Sequence, residues 1–576
     1  MTFRILTGYF ERLEKTSSRI SLIEILSELF SEVKRKDIAR LVYLIQGRVA
    51  PFYEPIEIGM ADKSVEKSIA RAYAVDLNQV IAEYGKVGDL GKVAENLSMQ
   101  KNTKSANLEV SYVFEKLLEI AKISGEGTVE KKIAALTGLL EKMNNIEAKH
   151  LLRIPLGTSR LGIGDPTILD AFASSKLGDR KKRKPLEEAY NRVSDLGFIG
   201  ETLWSGGLGA VENVSVSVGR PIRSELCERL PNPEKVIEKM EIVNAQKKLD
   251  GFRVQVHKDG EHIRLFSRNL EETTAMFPEI VEGARKQIKA KSAILDSEAI
   301  GYNPASGEFL PFQETTQRRR KYDITELALK IPLKDFCFDI LYKDGKSLID
   351  EPLEKRLEIL NKTVTKGEVF MVETGERVSD PNRLQILLDE SISEGLEGLV
   401  LKRLDSHYEA GGRNFNWVKL KRHSAGELKD TIDCVILGYI YGRGKRALFG
   451  AGALLVGVYD SEKDEFVTVS KIGTGLTDEE WREIHQRADK ISLANKPARV
   501  ISLIKPSVWV KPEIVIEILA DEITRSPIHT AGRDRGDIGY ALRFPRLVRF
   551  RDDDKKAEDA TTVKELIQMY NSQGKK

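Results

Sequence analysis

The rhythm of hydrophobic and polar positions changes twice along this chain. Up to about residue 219 the apolar residues recur at helical spacing. Leu22, Ile23, Ile25, Leu26, Leu29 and Phe30 form one stripe, and Val113, Phe114, Leu117, Leu118 and Ile120 form another. A third helix is predicted from Lys131 through Met143, with Gly125-Glu126-Gly127-Thr128 as the turn that starts it. Leu156 through Asp165 contains Gly157, Gly162, Gly164 and Arg160. Such a loop can bring its backbone close to a phosphate chain or a minor groove, or simply turn between helices.

Beyond about residue 220 the period shortens. Pro221, Pro231 and Pro233 predict a linker or domain entry. Strand-like runs follow at 252–258, 263–268, 293–296, 336–342 and 398–402, with helices between them, as over Leu353 to Leu360. This is a mixed α+β pattern. After about residue 425 strands dominate, at 434–441 and 453–459, with a helix from near Thr477 and a last one from Thr562 to about Tyr570. Short strands with glycine turns predict a small barrel. The expected plan is therefore multidomain: an all-α region over 1–219, an α+β domain over 220–424 and a β-barrel over 425–576.

Composition narrows the class. With 576 residues, 41% hydrophobic and 31% charged, the chain can bury several cores and is not a disordered protein. No apolar run is long enough to span a bilayer, and charged Glu11, Arg12 and Glu14 soon interrupt the N-terminus, so neither membrane association nor a signal peptide is expected. Cys227, Cys337 and Cys434 are far apart, which disfavours zinc ribbons and disulfide frameworks and fits a reducing cytoplasm. The net charge of +3 does not announce a nucleic-acid binder, but basic residues cluster at 180–184, at 318–321 and at Arg543, Arg546, Arg549 and Arg551.

The candidate chemistry centres on Lys248-Leu249-Asp250-Gly251-Phe252-Arg253. A lysine that attacks phosphorus must be neutral, and a free one titrates near ~10.4. Burial and neighbouring cations, for which Arg253 and Arg268 are candidates, would lower that value. Glu298 and Glu397 are candidate hard-oxygen ligands for a divalent metal. Phe338 could stack on a purine, and Lys419 and Lys421, two apart on a strand, share one face. Each has an ordinary alternative: a core phenylalanine, a salt-bridged carboxylate, a solvated strand face.

The order of these stations carries a resemblance. Lys-x-Asp-Gly-x-Arg at 248–253, Phe266-Ser267-Arg268, Asp296-Ser297-Glu298, Phe338-Asp339, Glu397 through Lys402, Trp417 through Lys421, and Leu542 through Arg546 follow one another as in ATP-dependent DNA ligases of the archaeal and eukaryotic replicative type, within the covalent nucleotidyltransferase superfamily. Gly442 through Arg446, Lys471 through Gly475 and the helical first third are similar too, so the resemblance covers nearly the whole chain. It implies a helical DNA-binding domain, an adenylation domain and an OB-fold domain. Lys248 would be the adenylated lysine. Nucleotide contacts would come from Gln246, Arg253, Arg268, Glu298, Phe338, Arg413, Lys419, Lys421, Arg543 and Arg546, and metal contacts from Glu298 and Glu397. Arg160, Gly162 and Gly164 would contact DNA. The implied cofactors are ATP and Mg²⁺, with Mn²⁺ as a substitute, the partner is nicked duplex DNA, and a monomer is expected.

Three departures stand out against that pattern. Gln246 occupies a position that is usually glutamate, so a carboxylate contact to the base is lost. The run Arg551 through Lys555 is one residue longer than usual, which leaves its closing residues unassigned. Some relatives bind the sliding clamp through a glutamine followed by two aromatics; Gln100 through Lys104 has neither aromatic, and clamp binding is not expected there. The rival readings are an RNA ligase or mRNA-capping guanylyltransferase, which would share the lysine station, and a non-catalytic DNA-binding scaffold. The long helical first third and the arginine-rich last station count against the former, and the intact Lys248, Glu298, Glu397 and Lys419 set against the latter.

Overall fold

The computed structural model describes residues 1–302, 309–310, 312–319, 323–393, 396–421, 431–441, 451–473, 476–520, 522–526, 528–533, 538–543, 545–551 and 554–572, without the side chains of 312, 313, 392, 393, 522 and 543. Gly442 through Arg446, Gly475 and Phe544, parts of three of the sequence stations, lie outside these residues. The chain forms two compact units, Met1–Leu420 and Lys421–Lys576.

The first unit opens with helices, from Phe3–Glu14 to Leu196–Glu212. The two predicted stripes lie on Arg19–Ser31 and Val110–Lys122, and the third helix begins at Thr128, just after Gly127 in the left-handed region at φ 72°. Side-chain caps fix several starts: Ser18, Asp76, Asp89, Asn144 and Asp195 each accept a backbone N–H of the following turn. The helices share one apolar core that includes Phe3, Phe30, Leu97, Leu136 and Phe172.

Inside that core lies a closed ion network. The Arg153 guanidinium is 1% exposed and pairs with Glu14 at 2.9 Å and with Asp89 at 2.6 Å. Lys149 pairs with Glu11 and, at 3.1 Å, with Glu14. His150 also bonds Glu11, at 2.8 Å, but burial, together with Arg153 and Lys149, pulls its pKa down to about 4, so the imidazole is neutral. Glu11, Glu14 and His150 come together as metal ligands could, yet two cations already satisfy the carboxylates.

The same unit continues in two sheets. One has the order β1-β11-β10-β2-β9 and the other β4-β3-β5-β6-β7, with β8 beside β6. The strands are β1 Leu226–Arg229, β2 Val243–Lys248, β3 Phe252–Asp259, β4 His262–Ser267, β5 Ser292–Gly301, β6 Leu333–Lys343, β7 Lys346–Ser347, β8 Phe370–Val372, β9 Glu376–Val378, β10 Gly398–Lys402 and β11 Arg413–Lys421. Pro233 is not in a linker. It occupies the first turn of helix Pro233–Met240, where its missing N–H costs nothing, and Asn232 caps that helix. Helices Pro278–Gln287 and Pro381–Ser393 likewise start on proline.

The second unit is built around the strand Ile432–Ile440, which pairs antiparallel with Ala453–Asp460, Val508–Val510 and Val515–Leu519. Helix Asp478–Asp489 starts at a capping box of Thr477 and Glu480, and a helix spans Val563–Ser572. Of the closing residues, Arg551 and Lys555 both pair with Asp433, at 3.4 and 2.5 Å. Asp552 and Asp553 lie outside the described residues.

Removing Arg153 would take one counter-charge from each carboxylate, leaving Glu14 to Lys149 and buried Asp89 to the exposed Arg160. Arg153→Ala is expected to destabilise the helical region by about 1–3 kcal/mol, read as a lower thermal or urea midpoint of that region; an unchanged midpoint would count against the network.

Candidate active site

The Lys-x-Asp-Gly-x-Arg segment is the junction between the two sheets. Lys248 ends β2 in one sheet, Phe252 and Arg253 begin β3 in the other, and Leu249-Asp250-Gly251 makes the crossing. Gly251 is required by proximity: a Cβ there would lie 2.2 Å from the Ala299 carbonyl oxygen on β5. Lys248 pairs in register with Gly398 of β10, and the Glu397 N–H donates to the Lys248 carbonyl at 3.2 Å. This puts the Glu397 carboxylate 2.5 Å from Lys248 Nζ. From the other sheet, Arg253 stands opposite Glu298 across β3 and β5, and Glu298 accepts the Gly251 N–H at 3.2 Å.

The electrostatics reverse one expectation. Burial pulls the Lys248 ammonium down, but Glu397, Glu298 and Asp250 outweigh it, so the net shift is upward. The Arg253 guanidinium, one of the cations expected to lower it, is committed elsewhere. Arg253 makes a two-pronged pair with Asp296, at 3.0 and 2.7 Å, and donates to the Glu225 carbonyl at 2.8 Å. Tyr408 adds a hydroxyl bond to Asp296 at 2.8 Å. Burial pushes the Glu298 carboxyl up to about 7, against the pull of Lys248 and Arg253.

Phe338 is half-buried on β6, where Arg253 (5.4 Å), Lys402 (4.4 Å) and the edge-on Trp417 ring (6.0 Å) surround it. Its carbonyl accepts from Lys402 Nζ at 3.3 Å and from the Gln246 amide at 3.4 Å. Gln246 also donates to the Glu373 carbonyl at 2.7 Å. An ionised glutamate has only acceptors and could make neither bond. Gln246 is 2% exposed and ties β2 to the strand that carries Phe338.

Sequence reasoning gave Lys402 no role. Its signal was a lysine closing the apolar run Gly398-Leu399-Val400-Leu401. The side chain is 1% exposed, lies 3.8 Å from the Trp417 ring centroid, and burial pulls its pKa down to about 8 despite Asp339 and Asp296. Asp296, Tyr408 and Glu225 were also missed; such residues are recognised only through their partners. The Cys227 thiol reports how the cations converge: burial raises it, and Arg253, Lys402, Lys248 and Lys419 all pull it back.

The remaining candidates are more dispersed. Lys419 and Lys421 are half-buried on β11, alternating with buried Val418 and Leu420, and exposed Arg413 opens that strand opposite Leu226. Exposed Arg268 follows β4 and lines a cleft of about 600 Å³ together with Ser159 and Ile163 of the glycine-rich loop. In that loop Gly162 is exposed at φ 66°, and Gly164 caps helix Asp165–Leu177. Arg160 is itself at φ 55° and is held by Asp89 at 3.3 Å and by the Gly88 carbonyl at 3.1 Å. Arg543 and Arg546 belong to the second unit, on the strands Gly539–Arg543 and Arg546–Phe550.

Three family descriptions match the chain in order: "DNA ligase N terminus" over residues 2–173, "ATP dependent DNA ligase domain" over 224–421 and "ATP dependent DNA ligase C terminal region" over 448–554. The chain belongs to the ATP-dependent DNA ligase family. It is 47% identical over 575 residues to a "Probable DNA ligase" of Dictyoglomus turgidum, and 39% identical over 594 residues to a "DNA ligase" of Sulfolobus acidocaldarius. Each alignment covers 100% of this chain, and 98% and 99% of the relatives. A solved structure titled "Pmar-Lig_Pre." resembles the fold with a TM-score of 0.52 at 16% identity, covering 95% of this chain and 99% of that one. Within the ligase family frame, the middle match contains both sheets and the whole Lys248 constellation.

Adding a methyl at Gly251 would force the crossing turn off β5 and move Lys248 relative to Glu298. A displacement of about 1 Å costs on the order of a hundredfold in rate. Gly251→Ala is therefore expected to lower the rate of labelling by radioactive ATP about a hundredfold; labelling at the unsubstituted rate would show that the turn does not set the site.

Proposed function

We propose that this protein seals nicks in duplex DNA at the expense of ATP, through a lysine–AMP and a DNA–adenylate intermediate. The observation that carries this reading is Lys248 held at the junction of two sheets, 2.5 Å from Glu397 and beside Glu298. Phe338 is the stacking surface for adenine.

In the first step Lys248 Nζ forms a bond to the α-phosphorus and the bond to the β-phosphate oxygen breaks, which releases pyrophosphate. Lys248 must first lose a proton, and Glu397 is its nearest acceptor. In the second step a 5′-phosphate oxygen attacks the same phosphorus and the P–N bond breaks, returning the proton to Lys248. In the third, the 3′-hydroxyl attacks the 5′-phosphorus and AMP leaves. All three develop charge on phosphate oxygens, so fixed cations supply much of the catalysis.

The carboxylates fit a divalent cation, for which we propose Mg²⁺ with Mn²⁺ as a substitute. Glu298, Glu397 and Asp250 act on the single Lys248 ammonium, an excess of hard oxygen donors. Held by Glu298 and Glu397, the cation would offset charge on the phosphate oxygens.

The other assignments follow the same reading. Arg268, Arg413, Lys419 and Lys421 hold nucleotide or nick phosphates, Arg543 and Arg546 orient the leaving pyrophosphate, and Arg160, Gly162 and Gly164 lie along the DNA. Arg253 acts on the nucleotide by holding Asp296 and the Phe338 wall. The modules are a DNA-binding domain over 1–219, an adenylation domain over 220–424 and an OB-fold over 425–576. The protein acts as a monomer in the cytoplasm, in keeping with three free cysteines. Among the described residues no helix is long and apolar enough to cross a membrane.

Incubation with labelled ATP and Mg²⁺ should give a covalent protein–AMP adduct, stable to alkali and labile to acid as a P–N bond is, that Lys248→Ala abolishes together with sealing of a nicked duplex. Labelling that persists in this variant would sink the assignment, and transfer of GMP to RNA ends without nick sealing would favour a capping enzyme. Glu397→Gln should slow adduct formation about a hundredfold or more, measured in a single turnover.

A further inference from the structure

Arg268 does not stand alone at its cleft. The opposite wall is the short segment after helix Ile38–Ile45, which ends at Gly47 in the left-handed region at φ 70°. The Arg48 N–H closes that turn on the Tyr43 carbonyl at 2.8 Å. Contacts across the cleft fix this segment against β4: the Tyr53 ring is edge-on to Phe266 at 6.2 Å, and Glu54 pairs with Arg264 at 3.1 Å. Two residues after Phe266, Arg268 sits in a tight turn closed by Leu270 N–H on the Ser267 carbonyl at 2.7 Å. The glycine-rich loop forms a third wall, with Ser159 beside Gly47.

The charges of this cleft do not cancel. Its acid, Asp165, accepts from Arg223 at 2.8 Å, from the Tyr190 hydroxyl at 2.5 Å and from the Gln46 amide at 3.2 Å. Arg223 is consumed in that pair. Arg48 and Arg268 are both exposed, and among the described residues neither forms an ion pair. Arg48 stacks its guanidinium over Phe52, 5.8 Å from the centroid, which orders the planar fork without using its N–H donors. Arg48, its fork ordered on Phe52, and Arg268, on a tight turn, line one open polar cleft that is braced by an edge-on aromatic pair and an ion pair.

We propose that this cleft binds a backbone phosphate of the nicked strand and that Arg48, from the helical region, grips it together with Arg268. The proposal rests on the nick-sealing reading and adds to it a specific DNA contact. A phosphate ester could come from DNA or from ATP, and the position of the cleft between helical region and sheets favours DNA.

The test uses the full chain, a nicked duplex ending in a 3′-dideoxynucleotide so that it cannot be sealed, and ATP binding measured in parallel. Arg48→Glu should weaken nick affinity at least tenfold and reduce the slope of log affinity against log salt by about 0.9, one phosphate contact. Phe52→Leu, which keeps the charge but frees the guanidinium, should give a smaller loss of a few fold, and thermal melting of both variants checks the fold. Unchanged nick affinity and salt slope in a folded Arg48→Glu protein would overturn the proposal. So would a loss of ATP affinity with DNA affinity intact, which would assign the cleft to the nucleotide. If the unsubstituted protein fails to form the AMP adduct, the nick-sealing reading fails instead, and that result is read separately.

Discussion

The whole site hangs on one three-residue crossing. Leu249-Asp250-Gly251 takes the chain from the end of β2 in one sheet to the start of β3 in the other, and it can do so only because Gly251 lies against the Ala299 carbonyl with no Cβ between them. One sheet then contributes Lys248 and, through β10, Glu397. The other contributes Arg253, Glu298 and Phe338. Each sheet has its own apolar core, and a shared cluster of Ile294 and Leu341 from one with Trp417 from the other joins them, so the relative position of Lys248, carboxylates and ring is set by that cluster together with the crossing. Rigid elements of this kind hold a catalytic group better than a loop could.

Around that crossing, most charges are spent within the fold. Arg253 is committed to Asp296, Arg356 to Asp339 at 2.7 Å, and Lys402 to the Phe338 carbonyl and two aromatic rings. These buried pairs shape the wall behind Phe338. The resting protein therefore presents Lys248 as an ammonium held by carboxylates. Activation requires moving a proton off Lys248, and a nucleotide's arrival is the natural occasion for it.

Much of this was legible in the sequence. The helical stripes and the strands at 252–258 and 398–402 appear where the pattern placed them, the helices burying one face and the strands buried on both. The lysine and the two glutamates were legible as an ordered set, and register brings them together. The partners of Arg253 were not. A planar fork suits phosphate and carboxylate equally, and the choice of Asp296 depends on which strands are neighbours. The prolines near 221–233 left linker and domain entry open for a related reason: proline marks both linkers and first helical turns, and Asn232 before Pro233 caps a helix there. The Glu54–Arg264 and Tyr53–Phe266 contacts join residues 210 and 213 positions apart, beyond the reach of any local pattern.

Lowered pKa and site geometry point to different lysines. Lys402 is the one that burial pulls down to about 8, yet it is 1% exposed and bonded to a carbonyl. Lys248 is shifted upward but stands beside the two candidate metal carboxylates at the sheet junction. Peptide mapping by mass spectrometry after a short incubation with ATP and Mg²⁺ separates geometry from acidity as the determinant. The account predicts AMP on the peptide that carries Lys248; AMP on Lys402 or Lys419, with Lys248 unmodified, would contradict it.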